Sequence, residues 1–135
     1  MRGKRNMRDQ QFFLDFLNAY NDCWYKKDLE KLKTFYDDEL IYFDNHKGND
    51  TYTLNDHIRL LEDFFTNGKA TESGAVEPLM IEEFHVSHND NSACLCYLAR
   101  YESYPTPAMR CTIYLENDVD SWKIHHVHCS FQPER

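Results

Sequence analysis

Two polar residues in the first half of the chain are of types that could do chemistry. Asp44 directly follows the apolar run of residues 40–43, and apolar surroundings raise the pKa of a carboxyl group toward the range that suits a general base. Asp44 could equally cap the turn that follows it, as aspartate often does. His57 lies in the first turn of a predicted helix, where the helix dipole disfavours the imidazolium cation. A neutral His57 could donate a hydrogen bond to an acidic ligand, although an exposed surface histidine fits the same position.

Two further histidines stand two residues apart near the C-terminus. His126 and His128 would share one face of a strand, with their side chains rooted ~6–7 Å apart. That spacing suits two ligands of a zinc ion when a third comes from elsewhere. No cysteine or carboxylate on a neighbouring segment completes such a set, so we predict no metal and no cofactor. The pair is interpreted either as hydrogen-bonded core histidines or as residues that contact a ligand.

An aromatic residue and an arginine complete the candidate binding residues. Trp24 ends an aromatic stripe at helical spacing, which is typical of a core-facing stripe that can also wall a pocket. Arg110 lies on a predicted strand and could hold a carboxylate through two parallel hydrogen bonds. A cross-strand ion pair with Glu102 or Glu82 is the alternative interpretation of this arginine.

Composition excludes several functional classes. The 135-residue chain has a formal net charge of −8, which argues against a nucleic-acid partner because phosphate contacts need a positive face. No apolar stretch approaches the ~18 residues of a membrane helix, and the N-terminus lacks the apolar centre of a signal peptide. The five cysteines form no CxxC pair, so we expect reduced thiols in a cytoplasmic protein.

The order of predicted elements indicates a single α+β domain. Apolar periodicity and capping signals predict three helices, at about residues 9–26, 29–36 and 53–66. A short strand at 40–43 lies between the second and third helices, and the remaining strands are predicted at 79–88, 92–101, 108–115 and 122–131. Such a chain packs its helices on one face of a mostly antiparallel sheet. Residues 1–10 carry a basic cluster without apolar pattern and are predicted to be a flexible tail before one domain of residues 11–135.

Two segments resemble the association (hub) domain of calcium/calmodulin-dependent protein kinase II. Residues 90–97 resemble that family's D-x-S-A-C-x-x-Y segment, and residues 122–130 resemble its W-x-I-x-H-x-H-x-S terminal strand. The element order over nearly the whole chain is similar to the nuclear transport factor 2-like (SnoaL-like) superfamily, to which the hub belongs. The resemblance implies a cone-shaped fold in which three helices cover the concave face of a strongly curved sheet.

The resemblance also implies a pocket inside the cone. The hub family places a pocket arginine two residues after the tyrosine that matches Tyr97, and this chain has Ala99 there. Arg100 should point to the other face of its strand unless a bulge intervenes, and Arg110 on the next strand could replace some of the charge. We therefore expect the pocket to bind a small anionic or polar-headed organic ligand, with its acid held near Arg110 and a histidine and with Tyr97 in the pocket wall.

Three functions of different classes follow. The first is a stand-alone oligomeric module that binds a small molecule. The second is a small-molecule isomerase, cyclase or dehydratase with Asp44 and His128 as acid and base, since ketosteroid isomerase of this superfamily uses an aspartate base. The third is a purely structural homodimer with a vestigial pocket. We expect a homodimer or larger assembly, because the sheet carries more apolar residues than three short helices can cover. These residues are Phe84, Val86, Cys94, Leu98, Met109, Ile113 and Leu115.

Strand alternation predicts that the candidate residues line one common cavity. Trp122 and Ile124 are bulky and should face the helices, which would carry His126 and His128 to the same side of the sheet. The predicted ligand-binding residues are Trp24, Asp44, His57, Tyr97, Arg110, His126 and His128.

Overall fold

The computed structural model describes residues 2–43, 51–66, 78–103, 105, 107–119 and 121–131. The helices are α1 (Arg2–Lys26), α2 (Leu29–Lys33) and α3 (Leu54–Thr66). The strands are β1 (Tyr36–Phe43), β2 (Thr51–Thr53), β3 (Leu79–His88), β4 (Ser92–Tyr101), β5 (Met109–Asn117) and β6 (Trp122–Phe131). The predicted α+β class, with helices packed on a mostly antiparallel sheet, is confirmed.

The first helix is longer than its apolar stripe predicts. It begins at Arg2 rather than near Asp9, so the stretch predicted as a tail, residues 1–10, is helical from its second residue. Apolar periodicity marks only the part of a helix that packs against other elements, and the buried residues of α1 begin at Phe13, near its midpoint. They are Phe13, Leu17, Tyr20 and Cys23.

The second helix is shorter, and the strand after it longer, than predicted. Asp28 caps α2 through its side chain, as its position before the apolar spacing indicates. The helix ends at Lys33, and Tyr36 already pairs with Ile124 of β6. Tyr36 therefore belongs to β1 and not to the apolar face of a helix, because pairing within the sheet overrides local spacing.

The six strands form one mixed sheet in the order β2-β1-β6-β5-β4-β3. β1 lies parallel to β6, and every other pair of neighbours is antiparallel. Register shifts interrupt the pairing of β1 with β6, of β3 with β4 and of β5 with β6. Such irregularities bend a sheet and increase its local twist, so three of the five strand pairs contain an irregularity that favours a curved sheet.

Burial alternates along the central strands and distinguishes the two faces of the sheet. The helix-covered face carries the buried residues Ala93, Leu95 and Tyr97 of β4 and Cys111, Ile113 and Leu115 of β5. The open face carries the residues between them, which include Cys96 and Leu98 of β4 and Arg110 and Thr112 of β5. In the part of the chain that the structure describes, no helix is long and apolar enough to cross a bilayer.

One extra residue in β6 changes the face to which its side chains point. Ile124 pairs with Leu115, but the next pair along the strand joins His126 to Tyr114, so His125 is bulged out of the ladder. Before the bulge, Ile124 lies on the helix-covered face with no exposed surface. After it, His126 takes its place beside the outward residue Tyr114. The inference that Ile124 and His126 share a face was therefore wrong, because it assumed unbroken alternation.

The apolar residues from which we predicted an assembly lie mostly in the core. Ile113 and Leu115 are buried, and Phe84, Val86 and Met109 pack against the core on the helix-covered side. Within that set, Cys94 and Leu98 belong to the open face. The helices cover more of the sheet than expected, because α1 is long and its Phe13 ring packs edge-on against Trp122 at 5.0 Å. An argument for assembly must therefore use other residues.

Candidate functional site

A hydrogen-bonded chain of three aromatic side chains lies in the interior. The hydroxyl groups of Tyr20 and Tyr36 are 2.6 Å apart, and the Tyr36 hydroxyl lies 2.9 Å from Nε2 of His57. Tyr20 comes from α1, Tyr36 from the start of β1 and His57 from the first turn of α3. Three elements that are distant in sequence therefore meet at one polar point, which we call the interior cluster (Tyr20, Tyr36 and His57).

Aromatic rings enclose the imidazole of this cluster. Tyr42 stacks on His57 with ring centroids 4.2 Å apart and an interplanar angle of 22°. Tyr36 meets the imidazole edge-on at 5.0 Å, and Trp24 lies 5.9 Å from it. His57 lies in the first turn of α3, as predicted. It has no exposed surface, so the interpretation as an exposed surface residue is wrong.

Burial keeps all three groups of the interior cluster neutral. It lowers the pKa of His57 to about 3, because a charged imidazolium cannot be hydrated there. Burial also raises the pKa of Tyr20 and of Tyr36 above the usual value for a phenol. At neutral pH the cluster consequently offers hydroxyl and imidazole groups without formal charge.

The tautomer of His57 sets the direction of the hydrogen bonds in the cluster. Either hydroxyl can donate in the contact between Tyr20 and Tyr36, and Nε2 of His57 can donate to the Tyr36 hydroxyl or accept from it. A neutral imidazole carries one N–H group, so Nδ1 is a donor where Nε2 accepts and an acceptor where Nε2 donates.

The Nδ1 atom of His57 is buried and has no hydrogen-bond partner among the described residues. A buried polar atom without a partner costs about 1–3 kcal/mol, and native interiors rarely tolerate one. The interior cluster therefore ends in a neutral imidazole nitrogen that can take a hydrogen-bond partner from outside the described residues.

Tyr97 lies on the same helix-covered face beside two thiols. It is buried, and its pKa is raised by burial and by the neighbouring sulfur atoms of Cys111 and Cys129. Cys111 and Cys129 are direct partners in the pairing of β5 with β6, and their sulfur atoms are 3.5 Å apart. No disulfide joins any of the five cysteines.

Arg110 and His128 lie on the open face, on adjacent strands. Both side chains are exposed, and they border a groove of about 460 Å³. The complete lining is Glu83, His85, Cys96, Tyr97, Leu98, Arg110, Cys111, Thr112, His128 and Ser130. Arg110 has no ion-pair partner in the described part of the chain, since Glu82 pairs instead with Arg100 at 2.7 Å.

His126 lies beside this groove and is held by the backbone. Its Nδ1 donates to the carbonyl oxygen of Ile41 at 2.8 Å. The ring of Phe43 lies against both His126 and His128, with centroids 5.0 Å and 5.8 Å apart. The two histidines thus share one face, as their spacing predicts, but that face is the open one.

The seven predicted residues do not line one cavity. The side chains of Trp24 and His57 lie on the helix-covered side of the sheet. Those of Arg110, His126 and His128 lie on its opposite face. Tyr97 is buried on the helix-covered face and also borders the open-face groove. The bulge at His125 and the outward position of Arg110 are the reasons for this division. Asp44, the remaining residue, lies outside the described residues.

The described residues contain no group of three or more histidine, cysteine or acidic side chains that could hold a metal ion.

Two residues of the interior cluster were not singled out from the sequence. Tyr20 was assigned to a core stripe, and Tyr36 to a helix. The sequence does contain a signal for Tyr36. Even numbers of residues separate it from Leu40 and Tyr42, as for residues on one face of a strand, and all three are buried in β1.

Several solved structures are similar to this chain. A nuclear transport factor 2-like protein of unknown function from Pseudomonas putida KT2440 is 17% identical, with a TM-score of 0.75, and the match covers 92% of this chain and 87% of that one. The calcium/calmodulin-dependent kinase II hub homology domain of Chlamydomonas reinhardtii is 16% identical, with a TM-score of 0.69 and coverage of 93% and 98%. The corresponding hub of S. rosetta is also 16% identical, with a TM-score of 0.67 and coverage of 89% and 94%. At these identities the likeness shows the fold alone.

Comparison of the sequence with protein families identifies the family of this chain. No curated protein matches the chain, but the profile of the SnoaL-like domain family matches residues 13–133. That range runs from the buried Phe13 of α1 to just beyond the end of β6. The chain therefore belongs to the SnoaL-like family and has the nuclear transport factor 2-like fold.

Proposed function

We propose that this chain is an oligomeric domain that binds a small polar-headed organic molecule at the interior cluster. The polar head would form a hydrogen bond with Nδ1 of His57, and the body of the ligand would lie against the surrounding aromatic rings. The observation that carries the proposal is the neutral, buried and unpartnered Nδ1 group at the end of the Tyr20–Tyr36–His57 chain.

The chemistry of the cluster favours an uncharged polar head on the ligand. His57 is neutral because burial lowers its pKa to about 3, and the two phenols are neutral as well. A carbonyl, hydroxyl or amide group can supply the missing partner of Nδ1 without bringing an uncompensated charge into a low-dielectric site. A carboxylate would find better partners in the open-face groove, where Arg110 and His128 are exposed.

The proposed assembly uses the open face, and a second copy of this chain is the proposed occupant. Ile41, Phe43 and Met80 are 38%, 40% and 40% exposed there. Large apolar side chains on one uncovered sheet face are typical of a self-association surface. Contact of two copies through this face would remove these side chains from water, which is the free-energy source for association.

A ligand screen with two matched variants tests the binding site. Small ketones, amides and carboxylates would be screened against wild-type protein by thermal shift, and each hit measured by calorimetry on His57→Phe and Arg110→Ala. A neutral hit whose affinity falls at least tenfold in His57→Phe and is unchanged in Arg110→Ala supports the interior site. Carboxylate hits that depend on Arg110 and not on His57 would refute it and place binding in the open-face groove.

A second candidate function is catalysis of the isomerase, cyclase or dehydratase type. Neutral tyrosine and histidine donors in a dry site resemble the groups that stabilise a developing oxyanion in enolisation. Such an enzyme would also need a base, for which Asp44 remains the candidate. The test is exchange of the α-protons of a bound ketone with deuterated water. Exchange that Asp44→Asn abolishes while binding persists would favour the enzyme over the binding module.

A further inference from the structure

We propose that Cys111 and Cys129 form a modification site at which a hydroperoxide closes a reversible disulfide between β5 and β6. Neither the SnoaL-like fold nor the proposed ligand site requires this pair. The proposal rests on the placement of the two thiols, on the partial exposure of Cys129 and on the contrast with the second close cysteine pair of the chain.

The backbone already holds the two residues at a separation that a disulfide can span. Cys111 and Cys129 are direct partners across antiparallel strands, and residues so paired have Cα atoms about 4.5–5.5 Å apart. A disulfide joins Cα atoms about 4.4–6.8 Å apart. The sulfur atoms are 3.5 Å apart, so bond formation needs rotation and a small approach of the side chains but no change of register.

The hydrogen bond between the thiols assigns their roles. The Cys129 thiol donates to the sulfur of Cys111, and this hydrogen bond lowers the pKa of Cys111 despite its burial. A thiolate is the nucleophilic form of cysteine, so Cys111 is the attacking residue and Cys129 the resolving one. Cys111 is buried on the helix-covered face, and its partner Cys129 is partly exposed, which provides the route to the pair for a molecule as small as hydrogen peroxide.

The chemistry balances with the peroxide as the sole oxidant. The Cys111 sulfur attacks one peroxide oxygen, the O–O bond breaks, and water leaves a sulfenic acid on Cys111. The Cys129 sulfur then attacks the Cys111 sulfur, the S–S bond forms, and the S–O bond breaks with release of a second water. The two thiols lose two electrons and two protons in total, and one hydrogen peroxide becomes two waters. An external dithiol reverses the reaction by exchange.

The second close pair provides an internal comparison. Cys94 and Cys96 are both on the open face, with sulfur atoms 4.0 Å apart. They are two residues apart on one strand, so their Cα atoms are held roughly 6–7 Å apart by the extended backbone, at the upper limit for a disulfide. Exposure alone would favour oxidation of this pair, whereas backbone placement favours Cys111 and Cys129.

Peptide mapping of the wild-type protein tests the proposal directly. Trypsin cleaves after Arg110 and Lys123, which leaves Cys111 alone in peptide 111–123 and Cys129 alone in peptide 124–135. Reduced, desalted protein would be treated with hydrogen peroxide, alkylated, digested and analysed by mass spectrometry. We expect peptides 111–123 and 124–135 to be joined, with loss of two hydrogen atoms, and to separate again after treatment with dithiothreitol. Alkylation of both Cys111 and Cys129 after peroxide treatment would overturn the proposal.

Two variants assign the roles of the sulfur atoms. Cys94→Ser/Cys96→Ser is the matched control and should form the cross-strand link to the same extent as wild type. Cys129→Ser should lose the link and accumulate a sulfenic acid on Cys111 that dimedone traps. Should Cys129→Ser fail to fold, the wild-type map still decides the proposal. A sulfenic acid found on Cys94 or Cys96, with Cys111 unmodified, would contradict it.

Discussion

Nε2 of His57 lies 2.9 Å from the hydroxyl of Tyr36, although the two residues are 21 positions apart and belong to different elements. This contact joins the first turn of α3 to the start of β1 beneath the aromatic residues of α1. It also fixes which imidazole nitrogen faces the protein and leaves the other for a ligand. Stability, titration and binding should therefore all report on the same pair of residues.

The titration of His57 predicts that stability falls as pH falls. Its folded-state pKa of about 3 is below the usual unfolded value of about 6.5, so the unfolded chain takes up the proton first. The resulting stability is complete above about pH 6.5 and is lost as pH falls toward 3. From these two pKa values, the loss between pH 8 and pH 5 is about 2 kcal/mol. Urea denaturation at several pH values should show this slope, and His57→Phe should remove that part of it. An unchanged slope in His57→Phe would mean that the imidazole titrates normally in the folded protein.

Tyr36→Phe should remove the central hydroxyl of the interior cluster. Both Tyr20 and His57 lose a hydrogen-bond partner in a buried site, so we expect a loss of about 1–3 kcal/mol in the free energy of unfolding. Tyr25→Phe, on the exposed side of α1, makes the same chemical change and should alter stability by less than about 0.5 kcal/mol. Chemical denaturation measures both variants. Equal losses of stability in the two variants would show that the hydrogen bonds of the Tyr36 hydroxyl do not stabilise the fold.

Assembly through the open face should depend on Phe43. Phe43→Glu places a charge among the exposed apolar side chains of that face and should convert the assembly to a 16.2 kDa monomer. Val119→Glu is the control, because it adds the same charge at a residue that is 86% exposed in the connection between β5 and β6. Sedimentation velocity distinguishes the outcomes. A wild-type protein that sediments as a monomer would refute the proposed assembly, and a Phe43→Glu assembly of unchanged size would exclude this part of the open face as its interface.

Much of the architecture could be predicted from the sequence because its signals are local. Alternation placed β3, β4 and β6 with the bounds that the structure has. A capping signal marked the start of α2, where the Asp28 side chain accepts a hydrogen bond from the backbone of Lys31. The stripe that ends at Trp24 located the packed half of α1. Each of these features depends on residues within one or two turns of each other, so a single segment contains the information.

The candidate site could be predicted only in part, because its geometry depends on pairing between distant segments. His57 was identified from its place in a helix, but its partner Tyr36 was not, since pairing with β6 draws Tyr36 into a strand. His126 and His128 were placed on one face correctly and on the wrong side of the sheet. The extra residue at His125 is visible only when β6 is aligned with β5, and one inserted residue reverses the side to which every later side chain points. The sequence alone thus determined most of the elements and the types of candidate residue. The tertiary structure decided the bounds of α1, α2 and β1, the presence of β2 and which candidate residues share a site.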